Sequence, residues 1–203
     1  KRIYFDNGST SFPKAPGVSD AVKGLLVNGA FNINRGGYDE AYQISEQVLE
    51  TRELLCRMFT FDKPKNAVFT PSITYSLNYL IKGYLKPGDH VITSSMEHNA
   101  VMRPLVQMEK QGVTFDCAQC EPTGALDPER VEALIRPNTR AVVMMAASNV
   151  CGTFLPIKEV GEICRRRGIK FFVDSAQTAG TFHIDMKEMN IDALTFTGHK
   201  GLL

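Results

Sequence analysis

Short apolar runs alternate with longer amphipathic stretches along most of this chain. The apolar runs predict strands at 67–70, 90–94, 113–118, 141–147, 170–174 and 193–197. The amphipathic stretches predict helices at 39–59, 74–84, 102–111, 128–135 and 157–167, with a short one at 186–189. Strands that alternate with helices are typical of βαβ units, in which helices cover both faces of one sheet. The pattern therefore predicts an α/β fold with three layers, αβα.

The first 38 residues differ from the rest, because they are rich in Gly, Asn, Ser and Pro. They predict a loop and a short helix that wrap around another part of the molecule. No repeat or long linker interrupts the remainder of the chain. We therefore expect two segments, an N-terminal arm with the first helix at 1–38 and one large domain at 39–203.

Charge and composition narrow the classes of partner. The 203 residues include 23 Lys and Arg against 22 Asp and Glu, so no basic surface for nucleic acid or an anionic membrane is expected. No apolar run approaches the roughly 20 residues that cross a bilayer, and the first residues lack the apolar core of a secretory signal. The five cysteines suggest no disulfide framework, so we expect free thiols and a cytoplasmic location.

Polar residues follow several predicted strands, where ligands bind in open α/β sheets. The first example is the start of the helix at Ile73 and Thr74, where free N–H groups, the positive helix end and a hydroxyl form a candidate phosphate site. Helix capping by Ser or Thr is the simpler interpretation of this stretch alone.

Two further polar residues follow the strands at 90–94 and 141–147. His98 is a candidate to lie flat against an aromatic ring, although a histidine at this position is more often a loop residue or a helix cap. Asn149 is a candidate hydrogen-bond donor to a ring oxygen, although asparagine in a glycine-containing turn also bonds to its own backbone.

Asp174 ends the apolar run 171–173, so its carboxylate is expected to be buried and to need a cationic partner. The nitrogen of a protonated pyridine ring is such a partner, and capping of the following turn is the structural alternative. Gln177, one helical turn later, is placed to reach an oxygen on the same ring.

Lys200 follows the last predicted strand and the hydroxyl residue Thr197. A lysine amine there suits a Schiff base with an aldehyde, although most lysines are simply solvated. His199 and Thr197 are candidates to bind phosphate. Different strands of one sheet are thus followed by phosphate donors, a ring-stacking group, partners for a ring nitrogen and oxygen, and an amine. This combination indicates pyridoxal 5'-phosphate.

Six segments resemble the class V aminotransferase-like enzymes, and within them the cysteine desulfurase and selenocysteine lyase group. The opening YFDNGST is similar to that group's YLDNAAT, and the other matching segments are NRG at 34–36, EHN at 97–99, SNV at 148–150, VDSAQ at 173–177 and TGHK at 197–200. The resemblance covers the whole chain. It implies the large domain of fold type I pyridoxal-phosphate transferases, with a mainly parallel mixed sheet.

The resemblance also implies roles for individual residues. Lys200 would bind the cofactor and later move protons, His98 would stack on the ring, and Asp174 would pair with its nitrogen. The residues implied for the cofactor's oxygens and phosphate are Asn149, Gln177, Ile73, Thr74, Thr197 and His199, and those implied for the substrate are Asn34 and Arg35. L-cysteine would be converted to L-alanine and an enzyme persulfide, by a homodimer that passes sulfur to an acceptor protein.

The sequence also departs from the family pattern. The small C-terminal domain, with its persulfide cysteine and carboxylate-binding arginine, is missing, so we expect a truncated cofactor-binding core. None of the five cysteines lies at the nucleophile position. Cys151, close to Asn149, is the nearest candidate for an active-site thiol, although a small packed residue is the favoured interpretation. The CxxC spacing of Cys117 and Cys120 is expected to reflect packing. A class V aminotransferase, a selenocysteine lyase and a non-catalytic fragment that keeps the fold are the alternatives.

Overall fold

The computed structural model describes residues 3–29, 31–33 and 35–202. The helices are α1 (Val18–Asn28), α2 (Asp39–Met58), α3 (Ile73–Tyr84), α4 (Asn99–Glu109), α5 (Pro128–Ala133) and α6 (Ile157–Arg167). The strands are β1 (His90–Ser94), β2 (Thr114–Ala118), β3 (Thr139–Met145), β4 (Lys170–Asp174) and β5 (Ala193–Thr195). A short 3₁₀ turn at Pro64–Asn66 precedes α3.

The five strands form one sheet in the order β2-β1-β3-β4-β5, and each neighbouring pair is parallel. The mixed character expected from the family is not seen among the described strands. Connections leave β1 toward one edge of the sheet and β3 toward the other, so the order reverses between these two strands. A crevice at such a reversal, beyond the carboxyl ends of the strands, is where open α/β sheets bind ligands.

Each strand contributes apolar side chains to both faces of the sheet. Ile92, Val142 and Phe171 belong to a core shared with α5 and α6, whereas Val91 and Val143 belong to a second core shared with α3 and α4. Full burial of one such side chain stabilises the fold by about 1.5–3 kcal/mol. Two apolar faces therefore fix the sheet between helices, and the predicted three-layer α/β fold is confirmed.

Helix caps set the points where helices begin near the carboxyl edge of the sheet. The Ser72 hydroxyl accepts a weak bond from the Tyr75 N–H at 3.5 Å, and α3 begins at Ile73. His98 caps α4, which begins at Asn99, three residues earlier than the sequence predicted. Both helices consequently direct their amino-terminal ends toward the edge where the strands stop.

Two predicted elements are wrong. Residues 67–70 are not a strand, because none of the described strands pairs with them; they line a cavity of about 570 Å³ together with β5. Residues 186–189 form a turn instead of a helix, since the Asp185 side chain accepts the N–H groups of Lys187 and Glu188 and Ile191 N–H closes the turn on the Met186 carbonyl.

The N-terminal arm forms hydrogen bonds with residues that are far from it in the sequence. The backbone N–H of Ser11 donates to the His199 carbonyl at 2.9 Å, and the Ser11 hydroxyl donates to the Lys200 carbonyl. The Thr10 hydroxyl also donates to the His199 carbonyl, at 3.1 Å. The arm therefore holds the turn that follows β5. Within the described ranges, none of the helices combines the length and the apolarity that crossing a membrane requires.

Candidate active site

A small cavity of about 70 Å³ lies at the carboxyl edge of the sheet. Strands β1, β3, β4 and β5 end around it, and α3 begins beside it. Its lining residues are Ile73, His98, Met145, Ala147, Asn149, Asp174, Ala176, Gln177 and Lys200. Six of the residues that the sequence singled out thus lie around one space, although they come from segments far apart in the chain.

Asp174 is the most buried ionisable residue of this lining, with 4% of its surface exposed. Its Oδ1 atom accepts the Ala176 N–H at 2.9 Å, so it also fixes the turn that follows β4. Burial raises the pKa of the carboxyl group, while the Ala176 hydrogen bond and the charges of His98 and Lys200 oppose that shift. A cation that entered the cavity would favour the ionised form of Asp174.

His98 is exposed and lies at the mouth of the cavity. Its Nδ1 atom accepts the Ala100 N–H at 3.1 Å, so the helix-cap interpretation is correct. Because Nδ1 is the acceptor, the proton of the neutral ring is on Nε2. His98 caps the helix and also lines the cavity, so the capping and binding interpretations do not exclude each other.

Lys200 is half-buried in the cavity wall, on a turn held from two sides. The Ser11 hydroxyl binds its carbonyl on one side. On the other side the turn packs against Gly180, where an added Cβ would lie 2.5 Å from the Gly201 carbonyl oxygen. The amine is therefore carried by a backbone with little room to move.

Asn149 and Gln177 line the same cavity and follow β3 and β4 in the chain. Asn149 is exposed in the turn that contains Gly152. The Gln177 amide donates to the Gly8 carbonyl at 3.1 Å, which joins the N-terminal arm to the cavity.

The residues predicted to bind phosphate lie beside this cavity, and only Ile73 lines it. Thr74 is exposed in the first turn of α3, and His199 is exposed next to Lys200. Thr197 is half-buried and lines the neighbouring 570 Å³ cavity, together with Ser72 and Ile73. The amino-terminal end of α3 and the turn after β5 therefore border a common space.

Of the two predicted substrate residues, the structure describes Arg35. Arg35 is exposed and is not among the residues that line the cavity. Asn34 lies outside the described residues.

Sequence reasoning missed several parts of the site. Met145, Ala147 and Ala176 line the cavity, but apolar residues at strand ends carry no chemical signal that distinguishes them from core residues. It also missed Glu97, whose carboxyl group is buried and bound to the end of β3. The sequence signals for Glu97 are its place in the EHN segment at 97–99 and its position three residues after β1, and neither shows that its side chain is buried.

The five cysteines are free thiols, as predicted. The expectation that Cys151 is packed is wrong, because the residue is exposed. Hydrogen bonding with Ser148 and Thr153 lowers the pKa of its thiol to about 7. Cys151 does not line the small cavity, although it is two residues from Asn149.

Two larger cavities differ from this site in chemistry. One, of about 560 Å³, lies at the opposite edge of the sheet, where Lys170 pairs with Asp192 and Lys187 pairs with Asp62. The other is the mainly apolar cavity beside β5. The small cavity is thus distinguished by its chemistry, a buried carboxyl group that faces an amine and an imidazole.

A model of the aminotransferase class-V family matches residues 3–203. The chain belongs to this family. Members of the family, cysteine desulfurases among them, depend on pyridoxal phosphate.

Named relatives and solved structures agree with that assignment. The chain is 36% identical to a cysteine desulfurase IscS of Vibrio atlanticus and 35% identical to the mitochondrial cysteine desulfurase of Saccharomyces cerevisiae, each over 98% of this chain. It superposes on an apo cysteine desulfurase from Thermococcus onnurineus with a TM-score of 0.90 and 28% identity, over 98% of this chain and 50% of that one. A structure of SspA in complex with cysteine gives a TM-score of 0.89 and 30% identity, over 97% of this chain and 57% of that one.

The chain spans about half the length of these relatives, 50% of the Vibrio protein and 40% of the yeast protein. The predicted resemblance to cysteine desulfurases is confirmed.

Proposed function

We propose that this chain is the pyridoxal phosphate-binding core of a cysteine desulfurase, which removes sulfur from L-cysteine and leaves L-alanine. One observation carries the proposal: the buried Asp174 carboxyl group faces the Lys200 amine and the His98 ring across one cavity at the carboxyl edge of the sheet. The relatives named above support cysteine as the substrate. Because the chain spans half their length, cofactor binding is proposed for this chain and turnover for the complete protein.

The donor set fits the cofactor. A buried carboxyl group needs a cation or a proton, and the protonated nitrogen of a pyridine ring supplies that cation. Bound pyridoxal phosphate supplies an electron-withdrawing ring that stabilises negative charge on the α-carbon of an amino acid. The cavity is small, so the exposed residues at its rim, His98 and Thr74 among them, contribute the rest of the binding surface.

Asp174 and Lys200 have complementary roles in this proposal. Ionised Asp174 keeps the ring nitrogen protonated, and burial strengthens that interaction because little water screens it. Lys200 would hold the cofactor through its amine, and that amine would move a proton to or from the substrate's α-carbon. The Ser11 hydrogen bond and the contact at Gly180 limit how far the Lys200 amine can move from that position.

The remaining residues orient the cofactor. His98 presents its ring face, while Asn149 and Gln177 donate to the ring oxygen. The phosphate would be held by the N–H groups at Ile73 and Thr74 in the first turn of α3, where the helix dipole favours an anion, and by the side chains of Thr74, Thr197 and His199. Asn34 and Arg35 are proposed to bind the substrate. A homodimer, a sulfur-acceptor protein and a cytoplasmic location stay predictions.

Spectroscopy of the purified chain tests cofactor binding. The wild-type protein incubated with pyridoxal phosphate is expected to show a visible absorbance band, and sodium borohydride is expected to fix the cofactor's mass on Lys200. Lys200→Ala should abolish both signals, whereas Lys187→Ala, an exposed lysine paired with Asp62, should keep both. A wild-type chain with no band and no trapped adduct would refute the proposal.

Activity of the complete protein separates the alternatives. Release of alanine and sulfide from L-cysteine identifies a desulfurase, whereas a strong preference for selenocysteine or formation of a keto acid identifies the two enzyme alternatives. Cofactor binding without turnover of any of these substrates would identify a non-catalytic protein that retains the fold.

A further inference from the structure

Glu97 occupies a structural position that the proposed function does not explain. It lies in the turn after β1, immediately before His98, and its carboxyl group is directed inward. Its Oε1 atom accepts the Ser94 hydroxyl at 2.5 Å and the Met145 backbone N–H at 2.9 Å. One oxygen atom therefore connects the His98 turn to the carboxyl ends of both β1 and β3.

The bond to Met145 replaces a missing contact between strands. Pairing of β1 with β3 ends at Thr93 and Val143, two residues before Met145. The Met145 N–H has no carbonyl of β1 opposite it, and a buried N–H without an acceptor is costly. The Glu97 carboxyl group supplies that acceptor at the crevice where the strand order reverses.

The second oxygen atom indicates the charge state of the group. Oε2 is inaccessible to solvent and has no hydrogen-bond partner among the residues that the structure describes. Burial raises the pKa of Glu97 to about 8, and the nearby Asp174 carboxyl group contributes to the increase. Because Oε1 already accepts two hydrogen bonds, the proton of the neutral acid is on Oε2.

The neighbouring ionisable groups explain why a neutral acid matters. Asp174 on β4 and the Cys117 thiol on β2 both interact with Glu97, and Asp174 in turn faces His98 and Lys200. Two buried carboxyl groups at close range do not ionise together readily. If Glu97 holds the proton, Asp174 is free to carry the negative charge.

We propose that Glu97 is a positioning residue, a neutral buried acid that fastens the His98 turn to β3 and leaves Asp174 as the charged carboxylate of the cavity. The role of His98 and Asp174 toward a cofactor rests on the proposed function. The charge state and the fastening of the turn do not depend on it, and cofactor-free protein tests both.

Two substitutions of similar size separate the two parts of the proposal. Glu97→Gln keeps the acceptor and is neutral at every pH, whereas Glu97→Leu fills the same space without an acceptor. Glu109→Gln, at the exposed end of α4, is the control. Each is compared with wild type by urea unfolding from pH 5 to 8 and by hydrogen exchange of peptides that cover 95–101 and 143–147.

An acid with a raised pKa binds its proton more tightly in the folded state, so it favours folding at low pH and loses that effect as pH rises toward 8. The unfolding constant of the wild type, relative to Glu97→Gln, is therefore expected to rise about tenfold per pH unit between pH 5 and 8. Glu109→Gln should follow the wild type. An unfolding constant with the same pH dependence in Glu97→Gln and wild type would overturn the neutral acid.

Hydrogen exchange and circular dichroism test the fastening of the turn. Glu97→Leu is expected to exchange at least tenfold faster than wild type in both peptides, while Glu97→Gln keeps the wild-type rate. With pyridoxal phosphate bound, the induced circular dichroism of its visible band should fall at least twofold in Glu97→Leu only.

Wild-type exchange and dichroism in Glu97→Leu would overturn the positioning role. If Glu97→Leu does not fold, a loss of dichroism in Glu97→Gln would overturn the role instead. If the wild type binds no cofactor, the proposed function fails, while unfolding and exchange still decide the role of Glu97.

Discussion

The close contact between Gly180 and the Lys200 turn allows a test of how the Lys200 amine is held in place. Gly180 has φ +81°, and a Cβ added there would lie 2.5 Å from the Gly201 carbonyl oxygen and 2.6 Å from Leu202 Cδ2. Ordinary contact begins at 3.4 Å, so Gly180→Ala requires the Lys200 turn to shift by about 1 Å or the fold to accept strain.

Two terms make up the expected destabilisation by Gly180→Ala. A side chain in the left-handed region costs about 1–2 kcal/mol, and overpacking costs about 1–3 kcal/mol. Gly168, at the end of α6, has φ +69° with open space around it, so Gly168→Ala carries the first cost alone. Alanine restricts the unfolded chain equally in both variants. The difference between them therefore isolates the contact with the Lys200 turn.

Urea unfolding followed by circular dichroism measures the free energy of unfolding, and borohydride trapping with mass spectrometry measures how fast pyridoxal phosphate attaches to Lys200. Gly180→Ala is expected to lose about 1–3 kcal/mol more than Gly168→Ala. Where the turn shifts instead, trapping should slow by about 100-fold, the usual effect of a 1 Å displacement at a reacting group. Equal stability of the two variants, together with trapping at the wild-type rate, would refute the claim that the Gly180 contact holds the Lys200 turn.

Three further predictions concern groups outside the cavity. Cys151 is expected to react with iodoacetamide faster than the buried Cys164, and its reaction rate should rise with a midpoint near pH 7. Peptide mass spectrometry measures that rate against pH, and a midpoint near 9 would contradict the prediction. Burial lowers the pKa of His90, so the unfolded state binds a proton before the folded state does as the pH falls. The free energy of unfolding in urea should therefore decrease as the pH drops below 6.5, and His90→Gln should reduce that decrease. An identical decrease in His90→Gln and wild type would refute the role of His90. Gly161→Ala should destabilise the protein in thermal melts, because its Cβ would meet the Met189 carbonyl oxygen. Gly24→Ala, in α1 with open space around it, should stabilise the protein by about 0.5–1 kcal/mol. Equal effects of the two substitutions would exclude the contact between Gly161 and Met189.

The sequence predicted the sheet because burial on both faces makes each central strand almost continuously apolar, as in the run 170–174. It failed where an element depends on a distant partner. Residues 67–70 have the composition of a strand but no neighbour in the ladder, and 186–189 has a helical composition but is only one turn long. The local pattern of residues shows neither whether a neighbouring strand is present nor whether so short a stretch forms a helix.

Much of the candidate site was predictable from one rule, that residues after parallel strands meet at one edge. His98, Asn149, Asp174 and Lys200 come from four strand ends and line one cavity. The burial of Glu97 was not predictable, because the direction of its side chain depends on where β1 stops pairing with β3. The exposed position of Arg35 likewise depends on how the arm folds back.

The bond between Ser11 and Lys200 joins residues that are 189 positions apart. The arm is synthesised early, yet the carbonyl that its hydroxyl binds is made only after the sheet-forming segments have been translated. The nascent arm therefore lacks its contact with the Lys200 turn until the sheet-forming segments have been made. Closing so long a loop is among the slower events in folding, and the amine is secured only after the architecture around it is complete.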